Sequence, residues 1–243
     1  MQPVFLLADS QLLFRAQGDG SLPERLAAAL AERAAEGAAE EEPAAAYLGA
    51  SNGDEPAFFE LFRAAMEQLG IRDCRHVPAR PAADDLAFLE RADLVLLAGG
   101  DSLRGMEAFR DAGIDALLPA RYAGGALLVG VSAGAVQLGL RFASQGVDGA
   151  ADRDADGLRV VPYLIDVHDD PEWDGLRRLV AGLDFPASGI GIPAGGAAVY
   201  YPDGTLEPLA RPLVEITRSG DELREAMLMP GEGTPGGEPE PPS

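Results

Sequence analysis

The sequence predicts an α/β protein built on a mostly parallel sheet, and three observations carry that expectation. Short apolar runs alternate with helical patterns along most of the chain, as a parallel sheet with crossover helices requires. One run, Ala126–Val131, ends in Gly130-Val131-Ser132-Ala133-Gly134, the strand-to-helix pattern of a nucleophile elbow. No apolar run approaches the ~18 residues needed to span a bilayer.

Taken in order, Val4–Ala8 is an apolar run read as the first strand. Leu22–Gly37 is an Ala-, Glu- and Arg-rich helix, Glu36–Glu42 its acidic end or a loop, and Ala44–Gly49 the second strand. Glu55–Leu69 spaces Phe58, Phe59, Leu61, Phe62, Ala65, Met66 and Leu69 at a helical period, so one face is expected to be buried. Asp73–Val77 is a short strand, Ala83–Arg91 a helix, and Asp93–Ala98 a central strand ending at Gly99-Gly100. Glu107–Leu118 is the helix before the strand that delivers Ser132, and Ala135–Leu138 continues helically after it. Gln145–Leu158 reads as an acidic surface loop, Val160–Val167 as a strand and Trp173–Ala181 as a helix. Gly189–Ile192, Ala197–Tyr201 and Pro212–Arg218 are late strands, with a turn at Pro202-Asp203-Gly204. Residues 1–230 are thus expected to form one α/β unit. Residues 231–243 form an acidic Pro/Gly-rich tail with nothing to bury, expected to be disordered.

Charge narrows the partners. The chain has 40 Asp and Glu residues against 19 basic ones, a formal net charge of −21, and all 19 are arginine. Such a field disfavours nucleic acid and anionic membranes. The absence of lysine excludes Schiff-base and Ser-Lys chemistry. A single cysteine, Cys74, rules out an internal disulfide and fits a reducing compartment. Met1–Asp9 has no basic segment ahead of its apolar stretch and reads as a strand rather than a signal peptide, so a cytoplasmic location is expected. The motifs call for no cofactor and no metal.

Around Ser132 the residue types suit acyl transfer. Small residues flank the serine because the turn is too tight for side chains, although the same pentapeptide also occurs in ordinary strand-helix turns. A serine hydroxyl needs a neighbouring base, and the chain offers His76 and His168. Nothing near His76 resembles a site, whereas His168 follows Asp166 at the carboxyl end of an expected strand, where ligands of open parallel sheets gather. Gly99-Gly100-Asp101 ends another central strand. Its glycine N–H, with that of Ala133, suits a two-donor oxyanion hole at Gly100 and Ala133. Gly99, Asp101 and Arg177 are candidate substrate-binding residues, with Arg104 and Arg178 as further forks for a carboxylate.

These pieces resemble the serine peptidase family that contains peptidase E (the aspartyl dipeptidase) and cyanophycinase. Gly99-Gly100-Asp101-Ser102 is similar to its Gly-Gly-Asp/Asn turn, and Gly130-Val131-Ser132-Ala133-Gly134-Ala135 to its elbow. Asp166-Val167-His168 with Leu176-Arg177-Arg178-Leu179 resembles the pattern around its histidine, and Gly189-Ile190-Gly191-Ile192 its next strand. The likeness spans roughly Val4 to Met229 in element order. It implies a class I glutamine-amidotransferase-like, flavodoxin-like three-layer sandwich with serine in place of the usual cysteine. It further implies a dipeptidase-like hydrolase of small peptides, aspartyl or Asp-Arg, with Ser132 as nucleophile and His168 as base. A homodimer stays open.

One position departs from the family. Where it carries an acid that orients the histidine, this chain has Ala194 in Pro193-Ala194-Gly195-Gly196, and Asp169 replaces the aromatic after the histidine. Losing an orienting carboxylate can cost orders of magnitude in rate. Asp166 is the first choice to replace it, followed by Asp169, Asp170, Glu172 or a backbone carbonyl; a Ser-His dyad and a degenerate binding protein are the other outcomes. An α/β-hydrolase esterase expects its histidine near the chain end, yet none follows His168. A glutaminase needs a cysteine at the elbow, and Cys74 is far from it.

Overall fold

The computed structural model describes residues 1–14, 21–35, 42–144, 153–168, 172–183, 185, 187–220 and 222–231. The expected tail at 231–243, save Gly231, lies outside the described residues, as do most of the acidic segment 36–42 and residues 145–152 of the expected acidic loop. A seven-stranded sheet dominates. Its strands are β1 (Val4–Leu7), β2 (Ala44–Leu48), β3 (Asp73–Val77), β4 (Leu94–Leu97), β5 (Leu127–Val131), β10 (Ala197–Tyr200) and β11 (Leu206–Leu209), the intervening numbers belonging to strands outside this sheet. They lie in the order β11-β10-β1-β5-β4-β2-β3. From β1 to β3 every pairing is parallel, and β10 and β11 add an antiparallel edge.

Strands β1, β2, β4 and β5 read as near-continuous apolar runs because both faces are covered. Phe5 and Leu7 pack on one side with Leu22 and Leu26 of α1 (Leu22–Arg33) and Phe62 and Met66 of α2 (Pro56–Gln68). Val4 and Leu6 pack on the other, with α3 (Ala83–Arg91), α4 (Ser102–Ala112) and α5 (Ile114–Ala123). This is the three-layer α/β sandwich that the sequence predicts.

Helix α4 begins earlier than the expected Glu107, because the Asp101 carboxylate caps it by accepting from the Leu103 and Arg104 N–H groups. The expected single helix Glu107–Leu118 is also broken, since Gly113 at φ 72° ends α4 and turns the chain into α5. After α6 (Ala133–Leu138) the chain forms an antiparallel pair, β6 (Arg141–Ser144) with β7 (Arg153–Asp156), so part of the expected loop is strand. A four-stranded sheet follows. It orders β13 (Glu222–Leu228), β12 (Leu213–Ser219), β9 (Ser188–Ile192) and β8 (Tyr163–Val167), with α7 (Asp174–Ala181) against it. Strands β11 and β13 are not expected from the sequence: β11 is a short half-buried run interrupted by Glu207 and Pro208, and β13 is mostly exposed, so neither shows a clean apolar alternation. Among the described residues no helix is long and apolar enough to cross a membrane.

Candidate active site

Ser132 stands between β5 and α6 at φ 51°, ψ −113°, a conformation that L-residues adopt at a cost. The surroundings enforce it. The Ser132 N–H donates to the Leu7 carbonyl at 2.8 Å, and the Ser132 carbonyl accepts from Ala135 at 2.9 Å. A Cβ on Gly130 would lie 2.6 Å from the Ala135 backbone, and one on Gly134 would lie 2.1 Å from the Leu97 carbonyl oxygen. Both flanking glycines are therefore required by backbone approach, as a tight elbow demands.

His168 reaches the serine from the other sheet. It ends β8 at φ 87°, and its N–H donates to Ile192 of β9 at 2.9 Å, extending the β8–β9 pairing past Val167. The side chains meet where Ser132 Oγ and His168 Nε2 lie 2.8 Å apart. Hydroxyl and imidazole are thus within proton-transfer distance.

Gly99 and Gly100 close the floor beside them. An added Cβ on Gly99 would sit 3.2 Å from Ser132 Cβ, while one on Gly100 (φ 131°) would fall 2.2 Å from the Ser51 carbonyl oxygen. Gly100 lines both clefts that hold Ser132, and Ala133 lines the polar one of the two; among the described residues neither N–H donates to a backbone carbonyl outside the regular elements. Asp101, a candidate substrate contact, caps α4 with its Oδ1.

No acid is found on the ring among the described residues. Among the described residues no hydrogen bond reaches the second nitrogen of His168. Asp166 lines the same polar cleft, but its Oδ1 accepts from the Val167 N–H at 2.8 Å. Asp169 and Asp170 lie outside the described residues, and Glu172 is exposed, its carbonyl accepting from Arg177. Ala194 is exposed in the turn after β9, where the neighbouring Gly195 N–H donates to Asp9 Oδ2 at 2.8 Å. Arg177 is not brought to the serine: its guanidinium holds Glu225 of β13 and the Glu172 carbonyl, and it lines neither cleft at Ser132. His76 is also elsewhere, 3.2 Å from Asp54 and stacked on Phe59.

Two clefts meet at Ser132 and His168. One, of about 510 Å³, is polar and carries Asp166, Asp174 and Arg178. The other, of about 490 Å³, is walled mainly by apolar side chains and holds Gly99 and Arg104, with Asp9 as its carboxylate. The sequence reading missed a buried hydrogen-bonded pair behind them. Gln137 Nε2 donates to Ser51 Oγ at 3.0 Å and to the Ser102 carbonyl at 2.9 Å. Ser51 in turn accepts the Asp101 N–H at 2.8 Å and the Arg104 guanidinium. This ties the Gly99-Gly100 turn to the loop after β2. That loop, Gly49-Ala50-Ser51-Asn52-Gly53, is small and polar at the carboxyl end of a central strand, which is the signal that would have found it.

Comparison with known proteins gives three findings. The model of peptidase family S51 matches residues 24–172, more than half of the chain. Cyanophycinases of Trichormus variabilis and Nostoc sp. are each 30% identical over 158 residues, which is 62% of this chain and 53% of theirs. The match therefore spans about half the length of those relatives. In structure, the chain is similar to a peptidase from an acI-B1 actinobacterium (TM-score 0.63, 16% identity, 95% of both chains covered). It is also similar to a putative peptidase E protein from Listeria monocytogenes EGD-e, with TM-score 0.50 and 16% identity, covering 94% of this chain and 99% of that one.

Proposed function

From the fact that the chain belongs to peptidase family S51, we propose that it is a serine-type hydrolase of small peptides acting through Ser132. The observation that carries this reading is the 2.8 Å contact between Ser132 Oγ and His168 Nε2. In the proposed reaction His168 takes the hydroxyl proton as Oγ attacks the scissile carbonyl. The Gly100 and Ala133 N–H groups receive the developing oxyanion, and His168 returns the proton to the leaving amine. Water, activated by the same imidazole, then releases the acyl group from Ser132.

That no described residue hydrogen-bonds the second nitrogen of His168 supports a Ser-His pair running without a carboxylate from the turn that holds Ala194. It also favours one alternative, a scaffold of the same family that binds peptides without cleaving them. Labelling decides between them. A small fluorophosphonate is expected to modify Ser132 stoichiometrically, and Ser132→Ala to lose at least ~10⁴-fold in kcat/KM with the thermal midpoint shifted by no more than about 2 °C. If the unaltered protein takes up no label, and Ser132→Ala hydrolyses peptides as well as the parent, Ser132 is not the nucleophile.

A further inference from the structure

We infer that the substrate residue at the scissile bond carries a bulky apolar side chain, aromatic or branched aliphatic, bound in the cleft between α2 and the turn after β1. The inference rests on the catalytic reading above and adds the substrate class. Its starting observation is an unusual surface. Phe14, Phe58 and Leu61 are 36%, 49% and 48% exposed, and all three line the apolar one of the two clefts that open on Ser132 and His168. Large side chains left open to water in one place mark a surface that something apolar covers.

The sequence builds this wall deliberately in two elements. In α2, Phe58, Leu61 and Phe62 fall at i, i+3 and i+4 and share one face. Phe62 is buried at the cleft's base while the other two rise from it. Leu13 and Phe14 end the short 3₁₀ turn Ser10–Phe14 that follows β1 and supply further cover. The polar groups within the cleft are largely engaged. The Tyr47 hydroxyl accepts from Asn52 Nδ2 at 2.7 Å, and the Asp9 carboxylate accepts from Gln11 and Gly195. Arg104, the one guanidinium among the described lining residues, donates to the Ser51 carbonyl.

An acidic side chain would gain little here. It would leave water for a wall of Phe and Leu, beside Asp9 and within a chain of formal charge −21. A phenyl or isobutyl group gains its whole transfer free energy. Ser132 fixes the register, since the carbonyl under attack must lie at Oγ while the adjacent side chain reaches the apolar wall.

The test uses the full chain and Ala-X-Ala tripeptides with X as Phe, Leu, Gly, Asp or Arg, products being read by mass spectrometry. Phe and Leu peptides are expected to exceed the Gly peptide by about 10- to 100-fold in kcat/KM, with Asp at or below Gly. In Phe58→Ala/Leu61→Ala the Phe-to-Gly ratio is expected to fall about tenfold. Both side chains are about half exposed, so the core survives their loss. Leu61→Arg should move the Asp-to-Phe ratio at least ~10-fold toward Asp. An Asp preference, or no Phe preference, in a protein whose Ser132 still takes fluorophosphonate overturns the apolar assignment and leaves the catalytic reading standing. If neither cleavage nor labelling occurs, the catalytic reading falls. Calorimetric binding of N-acetyl-Phe-amide against N-acetyl-Asp-amide then judges the cleft alone: tighter Phe binding upholds it and equal or tighter Asp binding overturns it.

Discussion

Ser132 and His168 approach to 2.8 Å, yet they belong to different sheets, one ending β5 of the seven-stranded sheet and the other ending β8 of the four-stranded one. Both carry positive φ, at 51° and 87°. Their surroundings differ. The serine backbone is held by the Leu7 and Ala135 backbone, with α6 wholly buried behind it and no space for a methyl group at Gly130 or Gly134. The histidine is exposed, and its place depends on one backbone bond to Ile192 and on the stack of Trp173 beneath Gly191. Local chain geometry thus fixes the nucleophile, while strand pairing across the sequence fixes the base. The contrast teaches that the two partners can fail independently, one through folding and the other through alignment.

The largest expected effect separates the two histidines. His168→Ala is expected to lower kcat/KM by at least ~10³-fold, and His76→Gln by less than about threefold, with hydrolysis of the preferred tripeptide as the measure. His76 lies 3.2 Å from Asp54 in the wall of the fold and lines neither cleft at Ser132. Equal losses in the two variants would erase the distinction and remove His168 as the base.

A second pair of variants places one methyl group in each half. In Gly134→Ala the new Cβ meets the Leu97 carbonyl at 2.1 Å, backbone against backbone. We expect at least ~3 kcal/mol of destabilisation and a thermal midpoint lower by roughly 6–12 °C. In Gly175→Ala the nearest atom is Asp166 Oδ2 at 3.8 Å, an ordinary contact. There the helix gains up to about 1 kcal/mol, because alanine loses less backbone entropy than glycine. Equal melting shifts would show that the elbow is no tighter than the histidine side.

This difference also explains what the sequence disclosed. Ser132 was legible because its constraint is local: glycines two residues to either side follow an apolar strand, and the turn admits nothing larger. His168 was legible only in part. Its strand could be read, but its pairing with Ser132 depends on a second sheet whose outer strand, Glu222–Leu228, alternates too weakly to be seen. The break at Gly113 was missed because Glu107–Leu118 keeps helical periodicity across it, and only the positive φ ends the helix. The resemblance makes Asp166 the first choice of acid for His168, but it does not disclose that the Asp166 Oδ1 accepts from the next N–H of its own chain. Least legible was the Ser51–Gln137 contact, since it joins residues 86 apart and periodicity says nothing about which buried amide meets which hydroxyl.

That contact gives the last and smallest prediction, and it sharpens the comparison on the serine side. Gln137 is fully buried, and its Nε2 holds Ser51 and the Ser102 carbonyl on either side of the Gly99-Gly100 turn. Its Oε1 has no hydrogen-bond partner among the described residues. Gln137→Leu therefore removes two hydrogen bonds but also removes a buried, unpaired carbonyl, so the net stability change is expected to stay within about 1 kcal/mol. The rate should respond more than the fold. With Ser51 released, the Gly100 N–H is held less firmly where the oxyanion develops, and an interaction made mainly in the transition state weakens. We expect kcat to fall about tenfold, with KM changed less than about twofold and fluorophosphonate still labelling Ser132. A residue that served packing alone would lower the melting temperature and leave kcat per folded molecule untouched. That result would detach the buried amide from the oxyanion hole and leave the elbow glycines as the sole fixed element on the serine side.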